Sequence, residues 1–319
     1  MAKKLKIAVQ FFGHLRTYKE CAPMLKKHLL DKYDCDLFMH TWNTINHNTK
    51  TWHNNKPDMA TVKKSDITDA YGEFKSIAIE QQHPKDQGDA QFKTHYGVKE
   101  PSRISIFGIA SLYYTMRQVN AVRQEYEKKH NIKYDFVIAI RPDILMHREI
   151  YIENILSTLS PADIDNGFFT FANEFGCALR DFRSFGATDI IYFARPDVMD
   201  TIFAKLPDIE SIFQPGVVYN YGPEYAFIKN IENQGFTPYR IDFKYGRDWE
   251  ILRDGRHDCR RESLRHRLIR FNFKFKHKNH IIFLKLWILP GILPAICNIR
   301  CGIFDFLSLD LSIGQPVNK

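Results

Sequence analysis

The chain has 319 residues, 44% of them hydrophobic and 26% charged, ordinary globular values that exclude a wholly disordered or collagen-like protein. Its formal net charge is +8, but residues 256–319 hold 12 Lys+Arg against 4 Asp+Glu, leaving 33 of each for residues 1–255. The body is therefore neutral and the basic excess belongs to the last fifth, which speaks against bulk attraction to nucleic acid as a property of the whole chain.

The N-terminal Met1–Lys6 is basic, but the apolar run after it ends within six residues and no small-residue cleavage site follows, so it reads as a first strand rather than a signal peptide. Lys6–Phe12 (KIAVQFF) is β-branched and aromatic and stops at Gly13, the pattern of a buried strand. Leu25, Leu29 and Leu30 predict a helix over Cys21–Lys32, with Pro23 tolerated in its first turn. Cys35–His40 is a second strand, and strand–helix–strand within forty residues predicts a parallel βαβ opening.

Trp42–Tyr96 is polar, rich in Asn, His, Lys and Asp, with Phe74–Ile79 as its one strand. A long polar insertion after a parallel strand is a place for substrate loops, or simply a solvated loop. Ile104–His130 carries Ile109, Leu112, Tyr113, Met116, Val119 and Val122 at helical spacing. Tyr134–Ile140 is a fully buried strand that runs into Arg141-Pro142-Asp143, and Ile152–Leu159 is a short helix ended by Ser160-Pro161. Gly167–Ala172 and Asp189–Phe193 are strands; Arg195–Lys205 and Gly222–Asn233 are helices with Pro near their starts; Pro238–Asp242 is the last strand.

Composition changes near residue 255. Arg256–Lys278 is dense in Arg, Lys and His, and Ile281–Leu309 is strongly apolar. The longest uncharged stretch, Leu286–Ile299, is 14 residues with two prolines, short of the about 20 that a spanning helix needs. A basic segment followed by an apolar one suits an anionic membrane surface, and equally an extra helical layer packed on the domain. The expected organisation is a domain over 1–255 and a basic, apolar helical tail over 256–319. The six cysteines are scattered, as in a reduced cytosolic protein, and Cys297/Cys301 lack the second pair of a zinc site.

The residues that carry chemistry sit at strand ends. Asp143 follows a buried strand, at the edge where open α/β sheets bind ligands, and Arg141 precedes it by two. The pair suits a metal with a phosphate, or a plain ion pair. Gly13 and Arg16 follow the first strand, where a glycine permits close backbone approach and an arginine meets phosphate, or where both are ordinary surface residues. Asp36 and His40 flank the end of the second strand, His40 equally readable as a core histidine. Asn46–Thr49, Thr51, Trp52, His53, Asn54 and Asn55 gather the planar polar and aromatic groups used by carbohydrate sites, or by a solvated loop.

The run Tyr134–Asp143 resembles the segment around the Asp-x-Asp motif of nucleotide-sugar-dependent glycosyltransferases with the GT-A fold. Residues 105–145 look like a group of bacterial capsule and lipopolysaccharide transferases, with Ser111-Leu-Tyr-Tyr-Thr115, then Tyr126-Glu127, then the Tyr134–Asp143 strand and turn. Gln10–Arg16 and Asp36–Asn43 look like the first strand with its nucleotide loop and the second strand end of that group. The resemblance covers about residues 5–250 and departs at one point: Arg141 stands where the first carboxylate of the motif belongs.

It implies a GT-A-like α/β fold, a nucleotide-sugar-binding Rossmann-type mixed sheet flanked by helices. It implies donor binding by Gln10, Gly13, His14, Arg16, Arg141 and Asp143, with a divalent metal (Mn or Mg) on Asp143 left open by the departure. Sugar transfer needs a base for the acceptor hydroxyl. Glu224, in a Pro-Glu pair shared with that group, and Asp189 are the two carboxylates for it, although Glu224 in a first helical turn also favours the dipole. Trp42, Asn43, Trp52 and His53 would face the acceptor, a glycan or lipid-linked glycan. The enzyme would be cytoplasmic, peripheral on the inner membrane face, and would bind no nucleic acid. The readings from other classes are a basic nucleic-acid-binding protein and a non-catalytic membrane-associated scaffold.

Overall fold

The computed structural model describes residues 4–47, 58–82, 106–172, 187–206, 223–253, 256–257, 269–277 and 280–288. By internal contacts the chain divides into two compact units, Met1–Arg256 and His257–Lys319.

In the first unit a seven-stranded mixed sheet has the order β3-β2-β1-β4-β7-β6-β8. Its strands are β1 (Lys6–Phe12), β2 (Asp34–Trp42), β3 (Ser76–Glu80), β4 (Phe136–Ile140), β6 (Gly167–Ala172), β7 (Ala187–Ala194) and β8 (Thr237–Lys244); β5 (Ile144–Met146) lies outside it. β1 pairs parallel with both β2 and β4, β2 with β3, and β6 with β8. Only β7 runs the other way, antiparallel to β4 and β6. The expected βαβ opening and the α/β class are both present.

Both sheet faces are covered, which is why β1 and β4 read as continuous apolar runs rather than alternating ones. Ala8 and Phe12 on β1, with Val137 and Ala139 on β4, share a core with helices α3 (Ile106–His130), α6 (Pro196–Ala204) and α7 (Pro223–Asn233), through Tyr113, Met116, Val119, Met199, Phe203 and Phe227. Phe11 points to the other face, its ring 4.7 Å from that of Tyr71 at the end of helix α2 (Lys64–Tyr71). Each such fully buried large side chain contributes about 1.5–3 kcal/mol.

Several local expectations are corrected. Helix α1 spans Tyr18–His28, so Pro23 lies inside it rather than in its first turn, and Leu30–Lys32 form a separate 3-10 turn. The backbone hydrogen bond from Cys21 N to Thr17 O starts the helix earlier, and Pro23 removes one donor without ending it. Ser160-Pro161 does not end a helix over 152–159. Helix α4 (Ile152–Leu156) stops at Leu156, and Ser160 caps a new helix α5 (Pro161–Asp165). Its hydroxyl accepts from Asp163 N while the Asp163 carboxylate reaches back, and Pro161 sits at the first helical position. Helix α2 lies in a stretch where the sequence pattern showed only a strand.

β8 is not the last strand. Strand β9 (Trp249–Arg253) pairs antiparallel with β5 (Ile144–Met146), beside the turn that holds Asp143. In the second unit, Ile269–His277 and His280–Ile288 pair as an antiparallel hairpin, so the expected helical tail is corrected over these residues. The cause is visible in the sequence: Phe271, Phe273 and Phe275 alternate with Asn272, Lys274 and Lys276, a period of two, not 3.6.

Candidate functional site

β1, β2, β3 and β4 run parallel, so their carboxyl ends share one edge. From β1 the chain passes to β2 on one side and returns through α3 to β4 on the other, so the strand order reverses between β1 and β4. That is the crevice where open α/β sheets bind ligands. The loops after β1 and β4 meet there.

The β1 loop is bent by two residues with positive φ, Gly13 at 90° and Arg16 at 48°. A Cβ on Gly13 would meet nothing within 4 Å, so its backbone angle, not crowding, calls for glycine. Arg16 is the less common case, a side-chain-bearing residue held in the left-handed region, which costs of order 1 kcal/mol and concentrates at functional sites. Its N–H donates to Ile45 O at 2.9 Å, its Nε to Asn46 Oδ1 at 3.4 Å and its Nη1 to Asp143 Oδ2 at 2.8 Å.

Asp143 receives a second arginine. Arg141 Nε donates to Oδ1 at 2.9 Å and Arg141 Nη2 donates to Oδ2, a bidentate grip on the same carboxylate. Pro142 fixes the backbone between them, and its carbonyl accepts from Tyr71 Oη at 3.1 Å. The Asp143 carbonyl accepts from Leu252 N at 2.9 Å, and the Thr17 hydroxyl donates to Leu252 O, so β9 ties the two loops together. Asp143 is fully buried, whereas the Arg16 and Arg141 side chains are 20% and 13% exposed. The arginine side chains thus reach solvent where the carboxylate does not, and their planar forks suit phosphate oxygens. Burial first, and then the nearby Asp143 charge, push the Cys21 thiol up; Tyr71 is raised by burial, with Cys21 and Asp143 adding to it.

Beside this crevice stands an aromatic wall. His14 is buried, with Nδ1 3.2 Å from Thr44 O and Nε2 3.2 Å from Gln82 Oε1. Burial, then the Arg16 charge, push its imidazole down to about 3, so it is neutral. Trp42 is 2% exposed and stacks on Tyr114, centroids 5.6 Å apart and 15° between planes. The Tyr114 hydroxyl donates to Glu80 Oε2 at 2.8 Å. His40 packs edge-on against both Trp42 and Tyr114, with Nε2 3.4 Å from Glu80 Oε2 but without hydrogen-bond geometry. Burial lowers its pKa despite that carboxylate.

The structure therefore brings Gly13, His14, Arg16, Arg141 and Asp143 to one edge. Trp42 is there too, but as a buried support rather than an open face for a sugar. Asn43 is engaged through its backbone, N to Glu80 O at 2.7 Å and O from Val62 N at 2.9 Å. Gln10 lies elsewhere: it donates to Asn120 Oδ1 at 3.0 Å inside the core. There Asn120 also meets Asp200, and the fully buried Arg123 bonds Asn120, Asp200 and Glu127. Trp52 and His53 lie outside the described residues. Asp189 is on β7 and Glu224 in the first turn of α7, but their side chains lie outside what is described. Asn46, named for its amide, proves to hold Arg16. Thr17, Tyr71 and Glu80 carried no sequence signal, and Tyr114 was legible only within the Ser111–Thr115 run of the resemblance.

The divalent metal that the resemblance implies at Asp143 does not fit this donor set. Both carboxylate oxygens already accept from guanidinium groups, and a dication would have to displace two like charges. Among the described residues no group of three or more His, Cys, Asp or Glu side chains comes together to hold a metal ion. Nor is any helix among them long and apolar enough to cross a membrane.

No protein-family model matches the chain, and no curated protein sequence matches it. Among solved structures it is similar to a crystal structure of a glycosyltransferase involved in the glycosylation of the major capsid of PBCV-1. That likeness covers 75% of this chain and 82% of the other at 9% identity, with a TM-score of 0.31.

Proposed function

We propose that the chain is a glycosyltransferase that moves a sugar from a nucleotide-sugar donor to a growing capsule or lipopolysaccharide glycan. The observation that carries this reading is the convergence of Arg16 and Arg141 at the β1/β4 crevice, beside a glycine-bent loop. The resemblance of residues 105–145 to surface-polysaccharide transferases supports it independently.

In the proposed reaction an acceptor hydroxyl oxygen attacks the anomeric carbon of the donor sugar. The bond from that carbon to the phosphate oxygen breaks, and the nucleoside diphosphate leaves with the electron pair. The hydroxyl proton passes to Glu224 or Asp189 as base. Arg16 and Arg141 face the negative charge that grows on the leaving diphosphate, the placement that lowers such barriers most. His14, held neutral, orients the loop without adding charge. The acceptor would lie along the β2 end, over Asn43, with buried Trp42 supporting that edge and Trp52 and His53 as further acceptor-binding residues. The basic, apolar residues after 256 would hold the enzyme on the anionic inner face of the cytoplasmic membrane, near a lipid-linked acceptor.

Incubation of the purified chain with a panel of nucleotide sugars tests this. Hydrolysis or transfer from at least one donor is expected. An absence of both binding and turnover across the panel, with and without manganese, overturns it.

A further inference from the structure

Resting on that reading, we infer that the donor diphosphate is bound without a metal ion, Arg16 and Arg141 taking the place of the cation and Asp143 serving as the positioning residue between them. A carboxylate that bridges a metal to a diphosphate must offer oxygens to the cation on the ligand side. Asp143 offers neither. Its Oδ1 accepts from Arg141, its Oδ2 from both Arg141 and Arg16, and the group is fully buried. Tyr71 and Cys21 lie close enough to feel its charge, and its backbone is tied to β9 through Leu252.

The partly exposed side chains of this trio are the two arginines. One carboxylate shared by two arginines gives this trio of side chains a net positive charge, a complement to a diphosphate. Their geometry is preset. Arg141 is fixed by its bidentate grip two residues away. Arg16 is fixed by its left-handed backbone, its N–H to Ile45 O and its Nε to Asn46. A fixed cation that needs no reorganisation when charge develops does what a bound dication would do there. The arginine at 141, where the resembling motif has a carboxylate, then has a physical meaning: one anion is exchanged for one cation, and the need for a metal goes with it.

The test is calorimetric titration of the full-length chain with UDP, GDP and the matching monophosphates, in EDTA and again in manganese or magnesium. Diphosphate affinity should be the same in both buffers. Arg16→Ala and Arg141→Ala should each weaken the diphosphate by roughly 10- to 100-fold, the worth of one charge-assisted pair, and the monophosphate less. Arg141→Lys should recover part of the loss, which a merely misfolded variant would not. Asp143→Asn, which keeps one accepting oxygen but turns the other into a donor facing a guanidinium, should bind diphosphate more weakly than wild type, and equally in EDTA and in manganese. Diphosphate binding that needs manganese or magnesium in the wild type overturns the inference and leaves the transferase reading standing. Arginine variants that bind normally also overturn it. If no nucleoside diphosphate or nucleotide sugar binds in either buffer, the transferase reading itself falls.

Discussion

Arg16 Nη1 and Asp143 Oδ2 lie 2.8 Å apart, although 127 positions separate the two residues in the chain. The contact joins the loops after β1 and β4 across the point where the strand order reverses. With Arg141 on the same carboxylate, it makes a buried anion a structural part of the site as well as a chemical one.

Asp143→Ala should therefore destabilise the fold, by about 3 kcal/mol, because it leaves two guanidiniums facing each other without their counter-charge. That figure is at the low end for a broken buried pair, since both arginines keep some solvent. Urea unfolding of the variant against wild type measures it. A midpoint unchanged from wild type would show that the carboxylate does not hold the loops together.

His14 gives the site a pH signature. Its imidazole is pushed down to about 3 in the folded chain, whereas in the unfolded chain it titrates near its ordinary 6.5. Below that pH the unfolded state takes up a proton that the folded state refuses. The stability contributed at this position is complete above about pH 7 and is lost as pH falls towards 3, at about 1.4 kcal/mol per pH unit. Between pH 8 and pH 5 wild type should lose about 2 kcal/mol more than His14→Gln in paired denaturation curves.

Gln10 separates structure from binding. It belongs to the core network of Asn120, Arg123 and Asp200, and its Oε1 has no hydrogen-bond partner. Gln10→Met should lower stability by about 1 kcal/mol, the net worth of one hydrogen bond, and leave nucleotide affinity unchanged. A titration showing weakened nucleotide binding in this variant would return Gln10 to the donor site.

Trp42 is a packing residue beside the crevice. Trp42→Ala should cost about 3–5 kcal/mol through the cavity beside Tyr114 and His40. Trp42→Phe should recover much of that, and thermal melts of the two variants report the difference.

The tail has its own readout. Replacing Lys274, Lys276 and Lys278 with Glu in the full-length chain should abolish co-sedimentation with vesicles rich in anionic lipid, while neutral vesicles bind neither form. Unchanged sedimentation would remove the membrane role of the basic residues.

Much of this molecule is written locally. The continuous apolar runs of β1 and β4, the helical spacing of Tyr113, Met116 and Val119, and the glycine and proline punctuation all act within about ten residues, so they can be read from the chain alone. The alternation of Phe271, Phe273 and Phe275 with Asn272, Lys274 and Lys276 was equally legible, and the basic composition of the tail masked it. The sequence also determined which chemistry-bearing residues stand at the strand ends, because Arg16, Arg141 and Asp143 each follow a strand. What only the tertiary structure decided is their relation. Gln10 and Arg16 lie six positions apart, yet one bonds Asn120 in the core and the other spans the crevice to Asp143. The direction of a side chain on a pleated strand and the order of strands in a sheet are set by packing among distant elements, and no local pattern encodes them. For the same reason Asp143 looked like a carboxylate waiting for a metal, and only the fold placed two arginines on it first.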